Sequence, residues 1–229
     1  MRTGLLFLTV FFSVSILGAQ PRTYRILGTI DRPVAEEWIY MDKYMGNGND
    51  LDSARIVENR FEFTGTASVP ELCCLFFDPG RRETRRYGMA RVFNEPGNTE
   101  ILLCLKDMFR GSEVKGGPVN REYFDKDQYL TVRFYQPMDS LTRLRATASP
   151  EDRERLGAEI EAVRQALVQS NLTYIKANLG SPAALVVFST ICASVPLPER
   201  EQMLEGFHDD LKQCNVYRAM AASLQPEAR

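Results

Sequence analysis

The sequence predicts an α+β protein in which an N-terminal antiparallel β-sandwich or barrel precedes a C-terminal helical segment of three to four helices. Two observations support this fold class. Up to residue 119, short apolar stretches are separated by Gly, Pro, Asn or Asp, which is typical of antiparallel strands. After Asn120 the apolar residues recur at a spacing of about 3.6 residues, the period of an α-helix. We therefore predict a β domain over 20–119 and a helical appendage over 120–229.

The first 19 residues have the composition of a secretory signal peptide. Arg2 precedes an apolar stretch that reaches Leu17, and Gly18 with Ala19 supplies small residues before a predicted cleavage after Ala19. Pro21 ends the stretch before it reaches the roughly 20 apolar residues that a membrane span needs. The residue after the predicted cut is not cysteine. We therefore expect an exported protein, periplasmic or secreted, that is not a lipoprotein and has no membrane span after signal removal.

Seven strands are predicted in the β domain. The first covers residues 24–31 and alternates, with Tyr24, Ile26, Gly28 and Ile30 on one side. The other six cover residues 38–42, 54–57, 61–65, 72–78, 88–93 and 99–105. Each is bounded by turn-forming residues, so consecutive strands are expected to pair through short connections.

A tight hairpin turn is predicted at Glu58-Asn59-Arg60. A two-residue hairpin turn needs positive φ angles, and Asn adopts them more readily than other non-glycine residues. Because side chains alternate along a strand, Phe61 and Phe63 should then share one face.

The helical segment has well-marked helix starts. Ser149 followed by Pro150 has an acidic residue, Asp152, three positions after the cap, and this arrangement satisfies free backbone donors at a helix start. We expect this helix to reach Gly180 and to end there in a left-handed conformation. Further helices are predicted to begin at Ser181-Pro182 and at Pro196-Leu197, and an earlier helix over 120–145 should be interrupted near Pro137.

Several of these features resemble a known family. The hairpin stretch 52–65, Pro70 and Glu95-Pro96-Gly97 are similar to an uncharacterised N-terminal domain, domain of unknown function 4369, of secreted bacterial thioredoxin-like thiol-disulfide interchange proteins. Segment 111–116 resembles the Gly-Ser and short strand that precede a long helix in the same proteins, and segment 174–184 resembles the phrase in which that helix ends. The resemblance implies a thioredoxin-like domain in longer relatives, whereas this sequence contains no Cys-x-x-Cys pair. It also implies that a separately encoded thioredoxin-like protein could be a partner.

Cysteine is the residue type through which a redox function would have to act. The sequence contains Cys73, Cys74, Cys104, Cys192 and Cys214. Cys73 and Cys74 lie in an apolar strand and point to opposite faces, so we interpret them as core residues, with a bridge from one of them to Cys104 as the alternative. An odd number leaves at least one unpaired thiol in an oxidising compartment. Cys214 lies in a polar stretch and is predicted to be the most exposed, so exchange or a disulfide-linked homodimer could use it.

Most catalytic classes lack their residues in this sequence. The single histidine, His208, lies among acidic residues on a predicted helix, and no His and Cys spacing suits zinc. The Gly-rich stretch 46–50 lacks the closing Glu of an EF-hand and is interpreted as a turn. We therefore predict no cofactor and no metal, and an enzyme is the less favoured class.

The charge balance gives no general attraction to nucleic acid. The net charge is −2, and the 28 basic residues less Arg2 against 30 acidic residues give −3 after signal removal. A local basic cluster is interpreted as a solvated loop rather than a binding patch, and it consists of Arg81, Arg82, Arg85 and Arg86.

Three functional hypotheses follow. The leading one is a non-catalytic exported module that binds a protein partner or forms a homo-oligomer, in association with periplasmic thiol-disulfide exchange. The second is a thiol-exchange protein that acts through an unpaired cysteine. The third is a small-ligand or glycan-binding domain in which Trp38 and Tyr40, on one face of a strand, form an aromatic platform.

Overall fold

The computed structural model describes residues 22–45, 51–77, 88–106, 109 and 111–224. These residues form the predicted α+β fold, with two mostly antiparallel four-stranded sheets followed by helices. The predicted signal peptide, the turn at 46–50 and the basic cluster from Arg81 to Arg86 lie outside the described residues.

Sheet A has the strand order β4-β1-β7-β8. Its strands are β1 (Arg22–Ile30), β4 (Arg60–Ala67), β7 (Gly97–Leu103) and β8 (Glu113–Lys115). The pairs β1–β4 and β7–β8 are antiparallel, whereas β1 and β7 are parallel. The parallel pair forms because the chain enters β7 from the other sheet rather than through a hairpin from β1.

Sheet B has the strand order β3-β2-β5-β6 and is antiparallel throughout. Its strands are β2 (Trp38–Lys43), β3 (Asp52–Arg55), β5 (Leu72–Phe76) and β6 (Ala90–Phe93). Every residue of β5 is buried, because sheet A covers one face of this strand and the helices cover the other. This double burial explains why the sequence of β5 is apolar without alternation.

The predicted hairpin turn is confirmed. Glu58 and Asn59 have φ angles of 51° and 61°, and Val57 and Arg60 exchange two backbone hydrogen bonds of 2.9 Å. The turn carries the chain from sheet B into sheet A, and Phe61 enters the core between the sheets.

Two cross-strand pairs of glycine and an aromatic ring lie in this core. Gly28 is opposite Phe61, and Gly65 is opposite Tyr24. A Cβ atom on Gly28 would lie 1.9 Å from the Phe61 ring, and one on Gly65 would lie 2.5 Å from the Tyr24 hydroxyl. Each ring thus occupies space that only glycine leaves free, which accounts for a glycine in the buried set of β1.

The described part of the chain contains six α-helices. They are α1 (Pro118–Leu130), α2 (Gln136–Thr147), α3 (Pro150–Ala177), α4 (Pro182–Ile191), α5 (Leu197–Gly206) and α6 (Asn215–Leu224). A π-helical turn, Thr131–Tyr135, separates α1 from α2. Pro137 lacks an N–H group and its ring clashes with the carbonyl four residues earlier, so the regular ladder is interrupted close to the predicted place. The last helix, α6, was not among the sequence predictions.

The predicted caps of α3 and α4 are present. The Ser149 hydroxyl accepts a hydrogen bond from the Asp152 backbone N–H at 3.2 Å, and the Ser181 hydroxyl accepts bonds from the first turn of α4. The prediction of a left-handed cap at Gly180 is wrong, because α3 ends at Ala177 and Gly180 has no positive φ. Glycine is needed there because a Cβ atom would lie 2.7 Å from the His208 ring.

The helices pack on the face of sheet B that is turned away from sheet A. Helix α4 is the centre of this layer, and most of its residues are buried. Leu72 and Phe93 of sheet B belong to the same apolar cluster as α4, and the Phe93 ring meets Tyr123 of α1 edge-on at 5.4 Å between centroids. The β and helical regions therefore share a core, while their predicted division at residue 119 stays a prediction.

Candidate functional site

The outer face of sheet B, turned towards the helices, is covered only in part. Strand register places Trp38 and Tyr40 of β2 on this face, with Tyr40 beside Phe76 of β5. Ile39 and Met41 point into the core between the sheets and are buried. The predicted sharing of one strand face by Trp38 and Tyr40 is therefore confirmed.

The uncovered part of this face is centred on Trp38. Its side chain is 44% exposed, and it lies directly across from Arg55 of β3. Tyr40 stacks on Phe76 with ring centroids 6.2 Å apart. Met89, which is 49% exposed, directly precedes β6. We refer to Trp38, Tyr40, Arg55 and Met89 as the Trp38 face.

Arg91 lies on β6 at the border between the Trp38 face and the helices. Its guanidinium donates a hydrogen bond to the Tyr123 hydroxyl at 3.2 Å and lies 5.7 Å from the centre of the Tyr44 ring. Burial raises the pKa of Tyr123, so this hydroxyl stays protonated and neutral. Arg91 thus brings a positive charge to the edge of an aromatic surface.

A buried carboxylate attaches helix α1 to the covered part of sheet B. Glu95 is 3% exposed and accepts hydrogen bonds from the backbone N–H groups of Val119 and Asn120, at 3.0 and 3.1 Å. These groups belong to the first turn of α1, where a negative charge is favourable. A Cβ atom on Gly116 or Gly117 would lie within 3.0 Å of the Glu95 carboxylate, so both glycines are required for this contact.

Asn120 forms a second link at the same place. Its side-chain oxygen accepts a hydrogen bond from the Phe93 N–H at 2.8 Å, and its amide donates to the Phe93 carbonyl at 3.0 Å and to Glu95. Helix α1 therefore supplies hydrogen-bond partners for the backbone N–H and carbonyl groups at the end of strand β6. The sequence did not predict this role of Glu95, because the contact joins residues 24 positions apart and no local pattern indicates it.

Two other carboxylates hold helix starts in a similar way. Glu71, just before β5, accepts a hydrogen bond from the Asn215 N–H of α6 at 2.6 Å and pairs with Lys43 at 2.9 Å. Glu122 of α1 accepts hydrogen bonds of 2.8 Å from Ser181, the cap of α4. These contacts have a structural function because each satisfies a helix terminus.

The cysteine thiols are all unbridged. Four of them are buried, Cys104 is half-buried, and Cys73 and Cys74 are core residues as predicted. The prediction that Cys214 is exposed is wrong: it is 3% exposed, because the chain turns there between a short 3-10 helix and α6. Burial raises the pKa of Cys214 to about 12 and also raises the pKa values of Cys73, Cys74 and Cys192. Since thiolate is the reactive form, these four are poor nucleophiles.

The outer face of sheet A carries a separate feature. An open groove of about 830 Å³ lies on it, with Leu27, Thr29 and Leu102 among its lining residues, and it extends to Arg55 of β3. Among the described residues, no group of His, Cys, Asp or Glu side chains is placed to hold a metal ion. In the same ranges, no helix combines the length and the apolar composition that crossing a membrane requires.

Comparison with protein families gives one match. Residues 24–123 match the family described as "Domain of unknown function (DUF4369)". This segment, a little under half of the chain, is similar to that family of domains. The match includes both sheets, the Trp38 face and the Glu95–Asn120 contact, and it ends inside α1. No curated protein and no solved structure matches the chain.

Proposed function

We propose that this chain is a non-catalytic exported module that binds a protein partner through the Trp38 face of its DUF4369-like segment. The observation that carries the proposal is the exposure of Trp38 beside Arg55 and Tyr40 on one strand surface. Trp, Tyr and Arg contribute most of the binding energy in many protein interfaces. The predicted signal peptide supports export.

The Trp38 face is held rigidly, which favours binding. Strand β2 lies inside sheet B, paired on one side with β3 and on the other with β5. Tyr40 is further fixed by its stacking on Phe76. Side chains that are ordered before binding lose less conformational entropy when a partner is bound.

The shape of the face fits a protein better than a small molecule. Small ligands usually occupy concave sites, whereas Trp38 and Tyr40 stand on an open strand surface. Arg55 and Arg91 add positive charge to the surface. A partner that fits would present an apolar patch bordered by carboxylates.

The resemblance stated above makes a separately encoded thioredoxin-like protein the first partner to test. The buried state of Cys73, Cys74, Cys192 and Cys214 argues that this chain would not exchange disulfides through these thiols. In an exchange system the redox-active cysteines would then belong to the partner, and this chain would contribute binding.

Photocrosslinking in producing cells tests the proposal. Ser53 lies across from Tyr40 and is exposed, so a benzophenone amino acid at position 53 reports on the face without replacing its aromatic residues. We expect one discrete protein adduct from position 53 and none from position 144, because Leu144 is exposed on α2, away from sheet B.

Trp38→Ala in the chain labelled at position 53 provides the decisive comparison. The proposal expects the adduct to disappear with this substitution and to persist with Leu197→Ala, which truncates another exposed apolar residue. An adduct that persists with Trp38→Ala, or the absence of any adduct from position 53, would contradict the proposal.

A further inference from the structure

The outer face of sheet A has a charge pattern that is complementary to itself. Strand register defines two rows of outward side chains that reach all four strands, read in the order β4, β1, β7, β8, and a further row, Thr64, Arg25, Asn98, that does not reach β8. The first row is Arg60, Thr29, Leu102, Glu113, and the second row is Glu62, Leu27, Glu100, Lys115. Each of these two rows ends in side chains of opposite charge, and the order of the charges is reversed between them.

A two-fold axis parallel to the strands, between β1 and β7, relates this pattern to a second copy. Stacking two copies about such an axis places β4 of one over β8 of the other. Arg60 then faces Glu113 of the second copy, and Glu62 faces its Lys115. In an isologous interface each contact occurs twice, so two rows provide four pairs of opposite charge.

The charges at the ends of the first row form no ion pair with another described residue of their own chain. In the part of the chain that the structure describes, Arg60, Glu113 and Lys115 form no ion pair, whereas Glu62 binds Arg25 at 2.7 Å. The Arg60–Glu113 contact should therefore contribute more than the Glu62–Lys115 contact, which competes with an existing pair.

The two central strands of the face, β1 and β7, carry both apolar and charged side chains. Leu27, Thr29 and Leu102, which is 40% exposed, lie on these strands together with the charged Arg25 and Glu100. The groove of about 830 Å³ gives room for the long side chains of a second copy. From the charge pattern at the two edges we infer that the outer face of sheet A is a homodimer interface.

The size of the face indicates weak association. Strand spacing and rise give a projected area of about 450 Å² per copy, below the roughly 800 Å² per partner of a standard interface. Dimers are therefore expected at high protein concentration and low salt, where charge pairs are least screened. Of the Trp38 face, Trp38, Tyr40 and Met89 do not line the groove, whereas Arg55 does.

Sedimentation of the exported protein over a concentration series reaching several hundred micromolar tests the inference. Arg60→Glu and Glu113→Arg should each weaken dimerisation at least tenfold. Each substitution turns the two symmetry-related Arg60–Glu113 attractions of the dimer into repulsions. The double variant Arg60→Glu with Glu113→Arg should restore it. Arg133→Glu, an equal charge change at an exposed helical position, should leave it unchanged.

Three results would overturn the inference. The first is a wild-type chain that stays monomeric throughout the series, and the second is a dimer that persists in both single variants. The third is a double variant that is monomeric, as the two single variants are. Circular dichroism of each variant confirms that loss of the dimer is not loss of folding. Trp38→Ala should leave the dimer unaffected, so the outcome here is independent of the proposed partner-binding function.

Discussion

The two outer faces of the β-sandwich use the same strand geometry for different purposes. On sheet B, the outward residues of β5 and β6 include Leu72 and Phe93, and helices cover them. On sheet A, the outward residues of β4 and β8 include Arg60 and Glu113, and they remain open. The composition of alternate positions thus decides whether a face becomes core or surface. Trp38 is the exception, because it is an aromatic residue on the apolar face without helical cover.

The largest effect is expected from truncation on the covered face. Phe93 is fully buried against α1 and α4, so Phe93→Ala should lower the free energy of unfolding by about 3–5 kcal/mol. Trp38→Ala, on the uncovered part of the same sheet, should have a much smaller effect. Urea unfolding of both variants measures the difference. Equal losses would show that Trp38 belongs to the core.

The core between the sheets gives the next effect. Gly28→Ala forces the Phe61 ring to move, and overpacking of this kind typically costs about 1–3 kcal/mol. Gly157→Ala is the matched control, because a Cβ atom on this helical glycine would lie 3.5 Å from Arg145, an ordinary contact. The control should stabilise the protein by about 0.5–1 kcal/mol. Thermal unfolding of the two variants measures both effects. If both substitutions changed the melting temperature in the same direction, this packing would be contradicted.

The attachment of the helices to sheet B can be weakened selectively. Glu95→Gln keeps the size of the side chain but removes the charge at the start of α1, and the expected loss is about 1–3 kcal/mol. Glu100→Gln, on the open face of sheet A, serves as the control and should leave stability unchanged. Hydrogen exchange should show faster exchange in the first turn of α1 for Glu95→Gln alone. Unchanged protection there would contradict the capping role.

The smallest effect concerns the thiols. Burial holds Cys214 protonated, with a pKa of about 12 against an ordinary value of 9.0. The folded state binds this proton more tightly, so the resulting stabilisation is present below pH 9 and is lost as pH rises towards 12. At pH 8 we expect native alkylation at Cys104 first, and at Cys214 only after denaturation. Mass spectrometry of alkylated protein checks this order, and rapid native labelling of Cys214 would contradict its burial.

Local signals in the sequence predicted the elements well. The caps at Ser149 and Ser181, the turn at Asn59 and the unbroken apolar run of β5 all act within a few residues. Contacts between distant segments were not predictable in this way. The burial of Cys214 depends on how α6 packs against α4 and α5, which the polar sequence around Cys214 does not reveal.

The same distinction applies to the candidate site. Alternation along β2 predicted that Trp38 and Tyr40 share a face, because strand periodicity is local. The exposure of Trp38 depends on where the helical layer ends, and contacts between distant segments, such as that of Glu95 with the start of α1, position this layer. The parallel pairing of β1 with β7 likewise joins segments about 70 residues apart, as the register of Tyr24 with Gly97 shows.

Fluorescence quenching at Trp38 tests the central claim most directly. Trp38 is the single tryptophan of the sequence, so 5-hydroxytryptophan incorporated there can be excited separately from a partner's residues. The protein captured by crosslinking is purified and added, and acrylamide quenching is measured. We predict ready quenching in the free chain and strong protection in the complex. Quenching that stays the same when the partner is bound would show that the partner binds elsewhere and would contradict the assignment of the Trp38 face.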